Sequence, residues 1–258
     1  MLHLSTMVFQ IEETLPKHYY YLLFMGTLLI YWFDHLQDSQ NPLLVQPGQR
    51  HAWFKTKQQA IKACWTILFI AEAYLSIQCL NLHELMYGSI LLLALFGYLF
   101  LHKKMKRIFI LEKEILIAIL YVAAVLFAIY MQLILTYNSY TFFAFFLLAS
   151  ILFFTCLQNL FSIAIIESNA DENAQIKNIT HSFGASRLQR LQAAMLLLQV
   201  FLSLLIYVIF PNPISQKACI ILFSISALNF LLPILFPEPK NEVYRLIGDG
   251  IFILAFLI

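Results

Sequence analysis

Charge is scarce in this chain, and three common kinds of site have no sequence pattern to support them. Asp, Glu, Lys and Arg make up 12% of the 258 residues, whereas a soluble domain has about 25%. No basic block or aromatic–basic interleaving points to nucleic acid. The cysteines stand singly in apolar segments without C-x-x-C or Cys/His spacing, so neither zinc nor a disulfide framework is indicated. They are Cys64, Cys79, Cys156 and Cys219.

The chain contains few charged residues but many long apolar runs. Hydrophobic residues make up 61% of the chain, and a membrane-spanning helix needs about 20 consecutive apolar residues. The sequence therefore predicts an all-α, polytopic membrane bundle. The runs of spanning length lie at residues 18–34, 60–80, 84–102, 114–136, 140–166, 191–210, 215–236 and 243–258.

The first ten residues form an apolar stub that is too short to span. Met1–Gln10 has neither a basic n-region nor a small-residue cleavage site, so it does not resemble a signal peptide. We expect it to be either the tail of a short or truncated first helix or a short helix that does not cross the membrane, which gives a count of eight or nine transmembrane helices. The whole chain, residues 1–258, is then predicted to be one transmembrane domain.

The basic residues alternate between the loops. All Lys and Arg except Lys17 and Lys217 fall in four segments, at residues 35–62, 103–113, 167–190 and 237–245. Under the positive-inside rule these four segments are cytoplasmic. We expect an integral protein of a bacterial inner membrane with these loops on its cytoplasmic side.

Two acidic pairs stand at the ends of apolar runs on that predicted side. Asp34 and Asp38 form one pair, and Glu167 and Asp171 form the other. Residues four apart share a helix face, and like charges there repel by roughly 0.2–0.5 kcal/mol per pair. A shared use, such as holding a hard cation, would explain why the arrangement occurs twice.

A basic loop offers a complement for phosphate. Lys103, Lys104, Lys106 and Arg107 lie within five positions after one of the runs. Mg²⁺ is commonly bound by one or two carboxylates together with substrate phosphates. The pattern is therefore compatible with a metal–diphosphate site, although the same loop is explained by membrane topology and anionic lipid alone.

Polar residues inside the runs allow two interpretations. Glu72 lies within the second run, and a carboxylate at that depth costs roughly 2.5–3.5 kcal/mol on insertion scales. We expect it to be protonated and hydrogen-bonded to a neighbouring helix. Gln158 and Asn159 lie within the fifth run, and such amides more often join helix to helix than bind a substrate.

In these features the chain resembles the UbiA superfamily of membrane prenyltransferases. Those proteins have nine helices, with aspartate-rich motifs after the second and sixth. With the stub counted as part of helix one, Asp34-x-x-x-Asp38 follows helix two and Glu167-x-x-x-Asp171 follows helix six. The basic run Lys103–Arg107 follows helix four, where the family has a Lys/Arg-containing loop.

The resemblance implies a function and a set of site residues. Asp34, Asp38, Glu167 and Asp171 would bind Mg²⁺ as the catalytic carboxylates. Lys103, Lys104, Lys106, Arg107 and Asn159 would bind an isoprenoid diphosphate or a quinone-like lipid among the membrane lipids. The implied reaction is prenyl transfer with release of diphosphate.

A second hypothesis follows from where the sequence departs from that family. Ile30 and Tyr31 stand where its first motif has Asn and Asp, and Glu167 stands where its second motif begins with Asp. The chain could therefore be a catalytically degenerate UbiA-like protein, serving as a lipid- or quinone-binding or structural subunit among other membrane subunits. A transporter is a distant third, because no pair of Gly/Pro-broken spans indicates one.

Overall fold

The described residues are helical along most of their length. A computed structural model describes residues 16–40, 50–104, 110–134, 139–173, 179–209, 213–237 and 243–251, and no strand occurs among them. The helices in these ranges are α1 (His18–Asp38), α2 (Arg50–Thr56), α3 (Gln58–Cys79), α4 (Leu82–Lys104), α5 (Ile110–Ile134), α6 (Ser139–Asn173), α7 (Ile179–Phe183), α8 (Ala185–Ile209), α9 (Pro213–Leu235) and α10 (Val243–Gly250).

The all-α prediction is confirmed, and the first seven apolar runs each fall on a helix. Within the described part of the chain, four helical segments are long and apolar enough to cross a membrane. They are Gln58–Cys79, Phe142–Asn169, Ala185–Ile209 and Gln216–Leu235. The stub Met1–Gln10 and residues 252–258 at the end of the eighth run lie outside the described residues, so the count of eight or nine spans stays a prediction. The short helices α2 and α7 were not predicted.

The chain divides into two compact units, with the boundary between Leu93 and Ala94 inside α4. The prediction of one transmembrane domain stays a prediction. In the unit that follows the boundary, α6 is the central helix and packs against α5, α8 and α9. Its side chains Leu148, Leu152 and Phe161 have almost no exposed surface, as expected for a helix surrounded by others.

Parts of four helices pack together at one end of this unit. A buried cluster joins Ala118 of α5, Ala164 of α6, Ile179 of α7 and Leu188 of α8. The first half of α5, the last third of α6 and the start of α8 therefore share one end of the unit. This arrangement is compatible with the predicted alternation of the basic loops, because those loops precede α5 and α8 and follow α6.

The unit that precedes the boundary is an antiparallel pair, α1 and α3, with α2 at one end. Leu36 of α1 packs with Phe54 of α2 and Ile61 of α3. One turn into the pair, Trp65 Nε1 donates a hydrogen bond to the Leu29 carbonyl at 2.9 Å. Because the indole donor is satisfied by the neighbouring backbone, this contact fixes the register of the two helices.

The other end of the same unit is built around the start of α4. Asn81 and Glu84 form a reciprocal capping box, in which the Asn81 N–H donates to Glu84 Oε2 at 2.8 Å and the Glu84 N–H donates to Asn81 Oδ1 at 3.0 Å. Such a box satisfies two of the helix's unpaired N–H groups. The Tyr19 hydroxyl of α1 also donates to Glu84, which connects the starts of α1 and α4.

Candidate functional site

The carboxylate of Glu167 lies near the end of α6, where two side chains of α10 bind it. The Tyr244 hydroxyl donates to Glu167 Oε1, and Arg245 donates to the same oxygen through Nε and forms an ion pair with it through Nη2. Arg245 Nε also lies 3.0 Å from the Tyr244 hydroxyl oxygen. The side chains of Arg245 and Glu167 are 24% and 14% exposed, so the ion pair sits at the boundary of the packed core.

The sequence of α10 brings these donors to one face of the helix. Tyr244 and Gly248 are one turn apart, and Arg245 lies beside Tyr244. Gly248 allows a close approach, because a Cβ at that position would lie 3.2 Å from Leu232 Cδ2 and 3.5 Å from Asn159 Nδ2. The glycine therefore lets the α10 backbone reach the side chains of α6 and α9.

Asn159 lies on α6 eight residues before Glu167, or about 12 Å along the helix axis. Its Nδ2 group lies 3.1 Å from Asn229 Oδ1 on α9 and 3.4 Å from the Gly248 carbonyl oxygen on α10. The Asn159 side chain is 9% exposed and that of Asn229 is fully buried. The amide thus joins three helices, as the helix-to-helix interpretation predicted, and its role in substrate binding stays a prediction.

Gln192 of α8 is fully buried and forms hydrogen bonds to α6 across the core. Gln192 Nε2 donates to the Ser162 hydroxyl oxygen at 2.8 Å and to the Gln158 carbonyl at 3.0 Å. The Ser162 hydroxyl lies 2.7 Å from that carbonyl and 2.6 Å from the Asn229 carbonyl of α9. One glutamine and one serine therefore connect α6, α8 and α9 at a single level, which we call the upper rung.

The same arrangement recurs seven residues along α8. Gln199 Nε2 donates to the Thr155 hydroxyl oxygen at 2.9 Å and to the Ile151 carbonyl at 3.2 Å. The Thr155 hydroxyl donates to the Ile151 carbonyl at 2.8 Å and lies 3.0 Å from the Ser226 hydroxyl oxygen of α9. We call this level the lower rung. In both rungs the glutamine shares its acceptor carbonyl with the hydroxyl group four residues further along α6.

The predicted metal-binding carboxylates fall in both units. Asp34 and Asp38 lie in α1, while Glu167 and Asp171 lie in α6. Among these four, only the side chain of Glu167 belongs to the described part of the structure. No group of three or more His, Cys, Asp or Glu residues that could hold a metal occurs among the residues described. The magnesium site stays a prediction.

The predicted phosphate-binding residues are described only in part. Lys103 and Lys104 belong to the last turn of α4, but their side chains lie outside the described set. Lys106 and Arg107 lie outside it entirely. Their role in binding a diphosphate therefore also stays a prediction.

Glu72 of α3 lies against Gly26 of α1. Its Oε1 is 2.9 Å from the position that a Cβ would take at Gly26 of α1. The missing side chain of Gly26 therefore makes room for the carboxyl group. Glu72 therefore packs against a neighbouring helix, but the hydrogen bond that was expected of it is not found among the described residues.

The sequence analysis missed Tyr244, Arg245, Gln192 and Gln199. The spacing of the two glutamines could have indicated a shared structural role, since they stand seven residues apart in an apolar segment and so lie on one helix face. Arg245 was counted only as a topology determinant. Its partner Glu167 lies 78 positions away, and local sequence spacing gives no information about such a pair.

Comparison of the chain with protein families, with curated proteins and with solved structures gave no match.

Proposed function

We propose that the protein is a UbiA-like integral membrane prenyltransferase with eight or nine transmembrane helices. It acts on an isoprenoid diphosphate and releases diphosphate in a magnesium-dependent reaction. The four basic loops and both acidic pairs face the cytoplasm of a bacterial inner membrane. The isoprenoid tail lies among the apolar helices, and its diphosphate group is bound by the acidic pairs and the basic loop.

The position of Glu167 carries this proposal. Its carboxylate stands near the end of a long apolar helix and is oriented by Tyr244 and Arg245. A carboxylate fixed in this way at a helix end is a hard oxygen donor of the kind that Mg²⁺ prefers. Asp171 follows one helical turn later and supplies the second oxygen ligand of the pair.

The side chains have separate tasks in the proposed reaction. Asp34, Asp38, Glu167 and Asp171 would hold the Mg²⁺ to which the diphosphate binds. Lys103, Lys104, Lys106 and Arg107 offset the negative charge that develops on the diphosphate as the allylic bond breaks. When bound, Mg²⁺ supplies Lewis-acid stabilisation of that leaving group. Asn159 lies deeper along α6 and orients the bound lipid.

A second candidate is favoured by a different observation. The α6 carboxylate already has a cationic partner in Arg245, and the amide groups of Asn159 and Gln192 donate to other helices. Polar groups used in this way stabilise a membrane bundle. The alternative function is therefore a non-catalytic UbiA-like subunit that binds a lipid or quinone within a membrane complex.

Turnover by carboxylate variants separates the two candidates. The purified protein, in lipid nanodiscs, would be assayed for magnesium-dependent release of diphosphate from an allylic prenyl diphosphate in the presence of candidate acceptors. Asp34→Ala and Asp171→Ala should each lower turnover by about 100-fold or more, since each removes a charge from a site that stabilises a developing charge. Glu172→Ala is the matched control, because Glu172 is exposed and lies outside both pairs.

Full activity in both aspartate variants would contradict the enzyme proposal. Absence of turnover, together with stoichiometric co-purification of other membrane subunits from native membranes, would favour the second candidate. Isolation as a free, active protein would count against that candidate.

A further inference from the structure

Each buried glutamine of the two rungs has a side-chain carbonyl oxygen that needs a hydrogen-bond donor. Gln158, Gln192 and Gln199 are fully buried, and their Oε1 atoms have no hydrogen-bond partner among the described residues. All three lie within the apolar stretches of α6 and α8 that are long enough to cross a membrane. Lipid cannot donate a hydrogen bond at that depth, so an unsatisfied carbonyl there is costly.

The three amide groups cannot be turned around to satisfy these oxygens. Each Nε2 atom faces a backbone carbonyl oxygen, which belongs to Gln192 for Gln158, at 3.3 Å, and to Gln158 for Gln192, at 3.0 Å. For Gln199 it belongs to Ile151, at 3.2 Å. A backbone carbonyl only accepts hydrogen bonds, so reversal of any of these amides would place two oxygen atoms against each other.

The upper rung also contains a donor that lacks an acceptor. Asn229 is fully buried, and its Nδ2 has no hydrogen-bond partner in the described part of the chain, while its Oδ1 faces Asn159 Nδ2. Gln158 and Gln192 each donate to the other's backbone carbonyl. The Ser162 hydroxyl contacts both the Gln192 amide and the Asn229 backbone. Two acceptors and one donor therefore belong to one level of the three-helix core.

Water is the ligand that fits this set of groups. A water molecule donates two hydrogen bonds, and buried water typically makes about three hydrogen bonds to polar groups that are otherwise unsatisfied. The side chains of the two rungs are uncharged amides and hydroxyls. They would not offset the charge of a cation at lipid depth, where an uncompensated charge is costly.

The lower rung offers a second position of the same kind. Gln199 Oε1 and Ser203 Oγ are both buried and have no hydrogen-bond partner among the residues that the structure describes. Residues four apart lie one above the other on a helix face, so one water molecule can bridge the two groups. Gln199 follows Gln192 by seven residues, which separates the two positions by about 10 Å along α8.

We infer that the core of α6, α8 and α9 binds water at both rungs, inside the membrane-spanning part of the protein. In the upper rung, one water molecule donates to Gln158 Oε1 and Gln192 Oε1 and accepts from Asn229 Nδ2. In the lower rung, a second water molecule joins Gln199 Oε1 to the Ser203 hydroxyl. The rungs are then hydrated polar sites as well as contacts between helices. This inference goes beyond the proposed transferase activity and does not depend on it.

Radiolytic hydroxyl labelling of the protein in lipid nanodiscs tests the upper position. X-rays produce hydroxyl radicals from water where it lies, and these radicals oxidise methionine before they diffuse far. Met195 is a suitable reporter, because it is only 6% exposed, follows Gln192 by three residues and packs in one buried cluster with Leu157 and Phe161. Its oxidation would be followed by mass spectrometry as a function of exposure time.

The variants remove the two acceptors and leave the reporter unchanged. The double variant Gln158→Leu, Gln192→Leu should lower the rate of Met195 oxidation by about tenfold or more, because an apolar core of this kind stays dry. Gln189→Leu is the matched control, since Gln189 lies on the exposed side of α8. Its Met195 oxidation should equal that of the unmodified protein.

Water-edited solid-state NMR of the unmodified protein in lipid bilayers tests both positions without a variant. In this experiment magnetisation passes from water protons to nearby carbon atoms. Its build-up at the side-chain carbonyl carbons of Gln158, Gln192 and Gln199 should be faster, by about fivefold or more, than at the methyl groups of dry core residues. Leu148 of α6 and Leu222 of α9 are the matched references, because they are also fully buried.

Two results would overturn the inference. One is magnetisation build-up at the three glutamines that is no faster than at Leu148 and Leu222, which would mean that the rungs are dry contacts between helices. The other is equal oxidation of Met195 in the folded double variant and in Gln189→Leu. If the double variant does not fold, the NMR result alone decides.

Discussion

Different kinds of contact stabilise the two units internally. The first unit is the one that precedes the boundary in α4, and the second unit is the one that follows it. In the second unit, half of the apolar stretch of α6 is buried (50%), and two rungs of hydrogen bonds connect it with α8 and α9. In the first unit, only 6% of the apolar stretch of α3 is buried, and its contact with α1 depends on a glycine and an indole hydrogen bond. Without a hydrophobic driving force between helices in lipid, close backbone approach and polar contacts are the two available means of association.

The contrast also explains where polar residues are found. The upper and lower rungs place fully buried amides at the centre of three helices, where each amide donates to a backbone carbonyl. The carboxyl of Glu72 in α3 instead packs against Gly26 of α1, which has no side chain. Packing, rather than hydrogen bonding to described residues, therefore positions Glu72.

The largest structural effect is expected at Gly26. Gly26→Leu would place a side chain where Glu72 Oε1 now lies, 2.9 Å from the added Cβ. Because the atoms in the way form the end of a flexible side chain, Glu72 can move aside, and the cost should lie near the lower end of the about 1–3 kcal/mol typical of overpacking, which should lower the thermal unfolding midpoint in detergent. Gly88→Leu is the matched control, because a Cβ at Gly88 meets nothing within 4 Å. An equal midpoint in both variants would mean that α1 and α3 do not depend on this close approach.

A somewhat smaller effect is expected from the upper rung. Gln192→Leu keeps the side-chain volume similar but removes the amide that donates to Ser162 and to the Gln158 carbonyl. Hydrogen bonds between membrane helices contribute about 1–2 kcal/mol in peptides and about 0.6 kcal/mol on average in a folded protein. We therefore expect a loss of about 1 kcal/mol in the free energy of unfolding, measured by denaturant titration in mixed micelles.

Gln189→Leu on the exposed side of α8 serves as the control for that loss. A glutamine there donates nothing to another helix, so its replacement should leave the free energy of unfolding unchanged. If Gln192→Leu is as stable as Gln189→Leu, the rungs do not distinguish the second unit from the first.

The smallest effect is expected at the end of the first unit that lies opposite α2. Asn81→Ala removes the side-chain oxygen that accepts the Glu84 N–H in the capping box. Loss of such a cap costs about 1 kcal/mol or less when the helix is otherwise packed. Asn81→Asp, which keeps a capping oxygen, should restore most of the thermal midpoint. Failure of Asn81→Asp to exceed Asn81→Ala would contradict a capping role.

Hydropathy predicted the long helices because an apolar run of spanning length has few stable alternatives to a helix in lipid. The bounds of α3 and α9 follow the runs at residues 60–80 and 215–236 to within about two residues. The short helices α2 and α7 escaped prediction, because seven and five residues are too few for a periodic pattern. Their formation depends on packing partners such as Ile61 and Leu188.

The charged end of α6 was predictable from the sequence, but the contacts of Glu167 were not. The spacing of Glu167 and Asp171 marked the end of α6 as a polar site from the sequence alone. The partners of Glu167 came from α10, because helix packing brings residues 77 and 78 positions apart into contact. No local rule gives that contact, since it depends on how the three intervening helices α7, α8 and α9 are arranged.

The sequence by itself therefore determined that this protein is helical and apolar, where its long helices lie, and which helix ends carry charge. Those properties follow from local composition and from the cost of exposing backbone polar groups in lipid. Only the tertiary structure decided that Arg245 and Tyr244 bind Glu167, that Gly26 faces Glu72 and that two glutamines of α8 join three helices. These contacts depend on distances between segments far apart in the chain, and such distances are set when the helices pack.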